Sequence, residues 1–192
     1  GKLPFYRGRN VLNWVLINDE KEFGITVHFV DEGIDTGDII AQESFPISEN
    51  DNYNSLLERS YLYCADLLYS SLIKIFNNDY NKVNQATIHP TGFYCGIRGE
   101  GDEIIDWNKN SRDIFNFIRS ISKPGPIATT LNKGKEVKIN NSNFIKEAPH
   151  YLGTAGQVLS KTESGFLVKT KDSFLEILEI IGEIRVGDKL GI

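Results

Sequence analysis

Methionine is absent from this 192-residue chain, position 1 included. The expectation from that gap is that Gly1 is not where the protein begins. Cysteine is scarce. Cys64 and Cys95 are too few for a disulfide scaffold or, on their own, a structural zinc site, and no metal is expected. They fit a reducing, cytoplasmic setting. No run of 18 or more apolar residues occurs, so no membrane-spanning helix is expected. No charged-then-apolar signal segment is read at the start. An excess of positive charge is also lacking: the formal net charge is −5, which argues against broad nucleic-acid binding. Internal repeats and low-complexity stretches do not stand out.

What is present is core-forming material. Hydrophobic residues make up 40% of the chain, and 11 Phe, 8 Tyr and 2 Trp exclude disorder. The length allows one domain or one and a half. Charge divides unevenly: residues 1–90 carry 7 basic and 13 acidic side chains (net −6), and residues 91–192 carry 14 and 13 (net +1). The polar stretch 81–92, with His89-Pro90 and Gly92, reads as a linker or domain edge.

In the first half, Asn10 is placed to cap a helix whose buried face carries Val11, Leu12, Trp14, Val15 and Ile17. Ile25–Val30 is a β-branched and aromatic run suited to a buried strand. The turn-rich loop Asp31–Asp38 follows, then a short strand from Ile39. A long helix beginning at Asn50 or Asp51 repeats apolar residues at Tyr53, Leu57, Tyr61, Cys64, Leu68, Leu72 and Ile75, which predicts Cys64 in the core. Helix, strand, loop, strand and helix form the tail of an α/β sheet domain. In the second half Ser111 is expected to cap a short helix bearing Ile114, Phe115, Ile118 and Ile121, stopped by Pro124-Gly125-Pro126. The short runs ATTL, EVKI, AGQVLS, GFLVKT and SFLEILEI then predict a small β-barrel.

Two segments carry candidate chemistry. The loop holds Asp31, Glu32, Asp35 and Asp38 with Gly33 and Gly37 between them. An EF-hand wants an oxygen ligand third and glycine sixth, whereas Gly33 and Thr36 occupy those places. A solvated acidic turn remains one reading. The other is a carboxylate at the rim of an α/β sheet, where ligands bind in such folds. In Leu3–Trp14, Arg7 and Arg9 flank Gly8 ahead of a helix, either as solvated charges or as an anion-binding fork. His28 lies in the buried strand and reads as hydrogen-bonded structure ahead of proton transfer. His89 and His150 read as surface residues, and Cys95 as a packing residue.

Together the segments LPFYRGRNVLNW, GITVH and DEGIDTGD resemble the folate-dependent formyltransferase family, in order and at the family's separations over about 40 residues. IDWNKNSRDIFNFIRSISKPGP is similar to the start of that family's C-terminal barrel, with the usual Pro-Trp-Pro-Gly altered to Lys123-Pro124-Gly125-Pro126. The resemblance implies an α/β fold: the C-terminal part of a Rossmann-like sheet domain over residues 1–88, then an OB-like β-barrel over residues 93–192. It implies a catalytic Asn, His and Asp. The Asp falls on Asp35. The Asn and His belong to an N-x-H motif expected just before Leu3-Pro4, together with a half-sheet on the order of 90–100 residues. Residues 1–192 alone are therefore expected to be inactive.

The implied co-substrate is 10-formyltetrahydrofolate, its pterin against the backbone of Asp31, Glu32, Gly33, Ile34 and Asp35, with Gly33 allowing close approach. YRGRNVLNW looks closer to the sugar enzymes' arginine-and-asparagine form than to the Ala-Ala-Pro of the tRNA enzymes. It implies an amino-sugar nucleotide as acceptor, with Arg9, Asn10 and Asn13 contacting it. Initiator methionyl-tRNA is the alternative acceptor, with the barrel lysines touching phosphates. A non-catalytic binding remnant is the third reading. A homodimer is the assembly considered.

Overall fold

The computed structural model describes residues 1–191. The chain divides into two compact units, Gly1–Asp51 with Ser55–Arg98, and Asn52–Asn54 with the residues from Gly99 onward.

In the first unit, in chain order, are β1 (Arg7–Gly8), α1 (Val11–Ile17), β2 (Glu22–His28), β3 (Ile39–Pro46), α2 (Tyr53–Phe76), α3 (Gln85–Ile88) and β4 (Tyr94–Cys95). β2 and β3 are antiparallel, Glu22 opposite Pro46, and the register is broken between Val27 and His28. β1 pairs in parallel with β4, Arg7 beside Tyr94 and Gly8 beside Cys95. The core gathers Val15 and Leu16 of α1, Phe23 and Ile25 of β2, Ile47, and Leu56 and Leu67 of α2. Phe23 is 1% exposed, and burying such a side chain contributes about 1.5–3 kcal/mol.

Several local expectations change here. Asn10 does not cap α1. Its backbone is left-handed (φ 56°), its side chain makes no cap bond, and its Oδ1 accepts the N–H of Arg98 at 3.1 Å. Of the face expected to be buried on α1, Val15 is buried, while Val11, Leu12, Trp14 and Ile17 are half-buried; the buried set is Asn13, Val15 and Leu16. On α2 the buried residues are Leu56, Leu67 and Ser71. Cys64 is exposed, as are Tyr61, Leu68 and Leu72. The helix has more apolar surface than a two-stranded sheet can cover, so packing selects another stripe than the one periodicity favoured. At its start Asp51 collects the N–H of Ser48 at 2.7 Å, the Ser55 hydroxyl at 2.8 Å and Arg59 at 2.7 Å. Burial opposes ionisation of Asp51, but these donors outweigh it and hold the carboxyl below the ordinary value.

The polar stretch 81–92 is not a loose connector. It contains α3, capped by Asn84 Oδ1 accepting the N–H of Ala86 at 3.0 Å, and its Gln85 is 3% exposed. The structure takes the first unit through Arg98, past that stretch.

The second unit holds α4 (Ser111–Ser120) and β5 (Ala128–Asn132), β6 (Lys135–Asn143), β7 (Val158–Lys161), β8 (Phe166–Lys169) and β9 (Phe174–Ile181). The strands are antiparallel in the order β5-β6-β9-β8-β7. Lys189 and Leu190 bridge to Gln157 before β7 and to Asn132 at the end of β5. The two sheet edges are thereby joined into a barrel. Alternation along the strands sends Val137, Ile139, Val158, Val168, Leu175 and Ile177 inward. They meet Ile114, Phe115, Ile118 and Ile121 from α4 and the turn after it. Ser111 is the first residue of α4 and does not cap it; the cap position is Asn110, whose side chain makes no cap bond. Asp172, from the β8–β9 turn, accepts the N–H of Ser111 at 2.7 Å and its hydroxyl at 2.9 Å. A distant carboxylate thus satisfies the helix start that a local residue was expected to serve. No helix among the described residues is long and apolar enough to cross a membrane.

Candidate active site

β2 ends at His28, and the chain loops through residues 31–38 before returning in β3. The loop's shape comes from its own side chains. Asp31 Oδ1 accepts the Thr36 hydroxyl at 2.5 Å and the Gly33 N–H at 3.1 Å. The Thr36 hydroxyl, ahead of the backbone bonds, holds the Asp31 carboxyl below its usual range. A Cβ on Gly33 would lie 2.1 Å from Thr36 Oγ1. The space at Gly33 is used inside the loop, by Thr36. Gly37 is tighter still, since a Cβ there would lie 1.8 Å from the carbonyl oxygen of Phe29. Asp31, Glu32, Gly33 and Ile34 are exposed.

Asp35 has a left-handed backbone (φ 55°), uncommon for a residue other than glycine. That conformation sends its carboxylate back toward β1 and β2. Oδ2 accepts the N–H of Gly8 at 2.7 Å, and Oδ1 lies 3.5 Å from His28 Nε2. His28 Nδ1 is 2.8 Å from the carbonyl of Phe29, so that nitrogen carries a proton and Nε2 is the one turned to Asp35. Asp35 keeps a third of its side chain exposed (36%) and His28 a fifth (20%). The result is a carboxylate with one oxygen fixed by a backbone donor, the other beside an imidazole, and an open face. Such a group can orient and stabilise a nearby cation and accept a proton. His28 is thus the neighbour of Asp35, and its Nδ1 makes the hydrogen bond expected of a structural residue in the strand.

Arg7 is neither a solvated charge nor an anion fork. Its Nε and Nη2 donate to Gln85 Oε1 at 3.1 and 2.6 Å, and the guanidinium lies 5.6 Å from the Tyr94 ring centre. Arg9 and Asn10 are exposed, one and two residues past the Gly8 donor. Asn13 is 5% exposed and sits in the buried face of α1, so in this chain it does not share that surface. Cys95 is half-buried against the first core, and burial pushes its thiol up, away from the reactive thiolate. His89 and His150 are exposed. Sequence reasoning missed the Gly8 donor and Gln85 altogether. The seven-residue spacing from His28 to Asp35 was there to be read, but Gln85 is 50 residues from Asp35, beyond any local pattern.

The chain is similar to known proteins over nearly its whole length. Residues 2–66 match the formyl transferase family, and residues 99–185 match the formyl transferase C-terminal domain. Methionyl-tRNA formyltransferase of Lactococcus lactis subsp. lactis (strain IL1403) is 34% identical over 98% of the chain and 63% of its own length. A sugar 3N-formyl transferase, solved in the presence of dTDP and 5-N-formyl-THF, superposes with a TM-score of 0.71 at 28% identity, covering 95% of this chain and 64% of that one. An N-formyltransferase from Helicobacter canadensis, in complex with folinic acid and dTDP-3-aminofucose, gives 0.70 at 30% identity, over 94% and 64%. The chain therefore spans less than two thirds of the length of these relatives. Both halves match in order, and the fold is that of the neighbours. The chain belongs to the formyl transferase family.

Proposed function

We propose that residues 1–192 are the portion of a formyltransferase that supplies its catalytic aspartate, Asp35, and its barrel domain. The reaction moves a formyl group from 10-formyltetrahydrofolate to a primary amine, with an amino-sugar nucleotide as acceptor. The observation that carries this reading is the placing of Asp35, held by Gly8 and facing His28.

Attack of the amine on the formyl carbon gives a tetrahedral intermediate with negative charge on oxygen. The Asp35 carboxylate can orient the His of the N-x-H motif and take up the proton the amine releases. Collapse of the intermediate breaks the bond between the formyl carbon and N10 of the folate, which takes up a proton and leaves as tetrahydrofolate. The folate fits the site by its surroundings. Residues 31–34 are exposed, and Ile34, 65% exposed, offers apolar surface to a flat ring. Arg9 and Asn10 are the exposed groups nearest the Gly8 donor in the chain and are assigned to the acceptor; Asn13, buried in α1, is not.

Support for the sugar acceptor is the pair of solved structures at 28% and 30% identity that match over nearly the whole chain. A methionyl-tRNA acceptor is the second reading, favoured by the 34% identity to the Lactococcus lactis enzyme. The test joins residues 1–192 to the N-terminal part of a formyl transferase relative, its half-sheet and N-x-H motif included, and supplies 10-formyltetrahydrofolate. In parallel reactions the acceptors are a panel of dTDP-amino sugars and charged initiator tRNA. Formylation of a sugar nucleotide is the expected result; formylation of the tRNA alone overturns the sugar assignment.

A further inference from the structure

We propose that Gln85 is a positioning residue for Asp35, holding the loop in the conformation that aims the carboxylate. The proposal rests on the reading of Asp35 as the functional carboxylate, but its evidence and its test are structural.

Gln85 is 3% exposed, and every hydrogen-bonding position of its amide is used. Nε2 donates to the carbonyl of Asp35 and to the carbonyl of Gly37, both at 2.8 Å. Oε1 accepts both bonds of the Arg7 fork. The orientation of the amide is settled by these partners, because two carbonyls can only face the NH2 end and a guanidinium only the oxygen.

The two carbonyls flank Thr36, so one side chain fixes the direction of the backbone on leaving Asp35. That departure is where the left-handed φ of Asp35 must be maintained. The strained conformation needs support from its surroundings, and the Gln85 amide supplies it at the residue concerned. Arg7 is itself confined. Gly92 leaves room for it, since a Cβ there would lie 2.8 Å from the guanidinium carbon, and β1 pairs with β4 beside it. The chain of contacts runs from Arg7 through Gln85 to the Asp35 backbone. Gly8, next to Arg7, closes it by donating to the Asp35 carboxylate.

The residue type is specific. A glutamate would keep the Arg7 fork but set an anion against two carbonyl oxygens. A methionine would fill the space and lose all four bonds.

The Gly8 amide proton reports the result without any turnover, because its shift follows the ionisation of the carboxylate it donates to. Nitrogen-15 correlation spectra of residues 1–192 are recorded from pH 2.5 to 7 for the native chain, Gln85→Glu and Gln85→Met. The native Gly8 amide is expected downfield and titrating, with the amplitude at least halved in both variants while the barrel resonances stay in place. An unchanged Gly8 titration in either folded variant overturns the proposal. So does unfolding of the whole first unit in both variants, since a residue needed only for folding is not a positioning residue. In the N-x-H-bearing polypeptide, Gln85→Met is expected to lower kcat about 100-fold with the KM for the acceptor nearly unchanged. If the Gly8 signal behaves as expected and no formyl transfer is found, the formyltransferase reading fails and the role of Gln85 stands.

Discussion

Asp35 and Asp188 show two uses of a carboxylate held by donors. Asp35 keeps an open face and an imidazole partner. Asp188 is enclosed: it accepts Lys133 Nζ at 2.5 Å, Asn132 Nδ2 at 2.9 Å and the N–H of Arg185 at 2.9 Å. Lys133 first, then Asn132, lower its carboxyl from 3.8 to about 2. The folded-state value lies below the unfolded one, so the ion contributes stability above pH 3.8 that is lost as pH falls toward 2. Thermal melts of the native chain and Asp188→Asn are expected to differ most near neutral pH and to converge near pH 2. Parallel melts down to pH 2 assign the stabilisation elsewhere. The contrast explains why acid content alone did not mark the proposed functional carboxylate. Donors close off one carboxylate and leave the other accessible.

At the level of elements, strands and helix positions were largely legible in the sequence, and their terminations were not. Each of the five runs expected as barrel strands overlaps one observed strand, because alternation is a local signal that the closed sheet then uses. The caps were misread because their partners come from elsewhere. Asn10 is turned to Arg98, and α4 is capped from the β8–β9 turn. Cys64 was misplaced because apolar periodicity on α2 runs around more of the helix than its neighbours cover. Asp172 offers a test. Burial opposes its ionisation, but the Ser111 backbone and hydroxyl and the Thr170 hydroxyl hold it below the usual carboxylate value. Replacing it with alanine is expected to cost about 1–2 kcal/mol, as for loss of a helix cap. A melt shows this as a lower Tm of the barrel, and an unchanged Tm removes Asp172 from the capping role.

For the whole molecule, each unit carries its own core, and the two family matches divide along the same line. Residues 99–192 are expected to fold alone, since the barrel, its helix and the 189–190 bridges all lie within them. A dispersed amide spectrum and a cooperative melt from that segment check this; a collapsed spectrum contradicts it. The candidate site was legible in part. The loop and Asp35 stood out through a resemblance carried by short motifs. The Gly8 donor and Gln85 did not, because a backbone N–H has no sequence signature and Gln85 reaches the loop only through the fold. The central claim is that Asp35 serves formyl transfer from the position these contacts define. The direct measurement is the rate of formyl transfer from 10-formyltetrahydrofolate by the N-x-H-bearing polypeptide, native and Asp35→Asn, with matched circular dichroism spectra. The account predicts a loss of about 10²–10⁴-fold with the fold intact. A variant rate within twofold of the native one contradicts it.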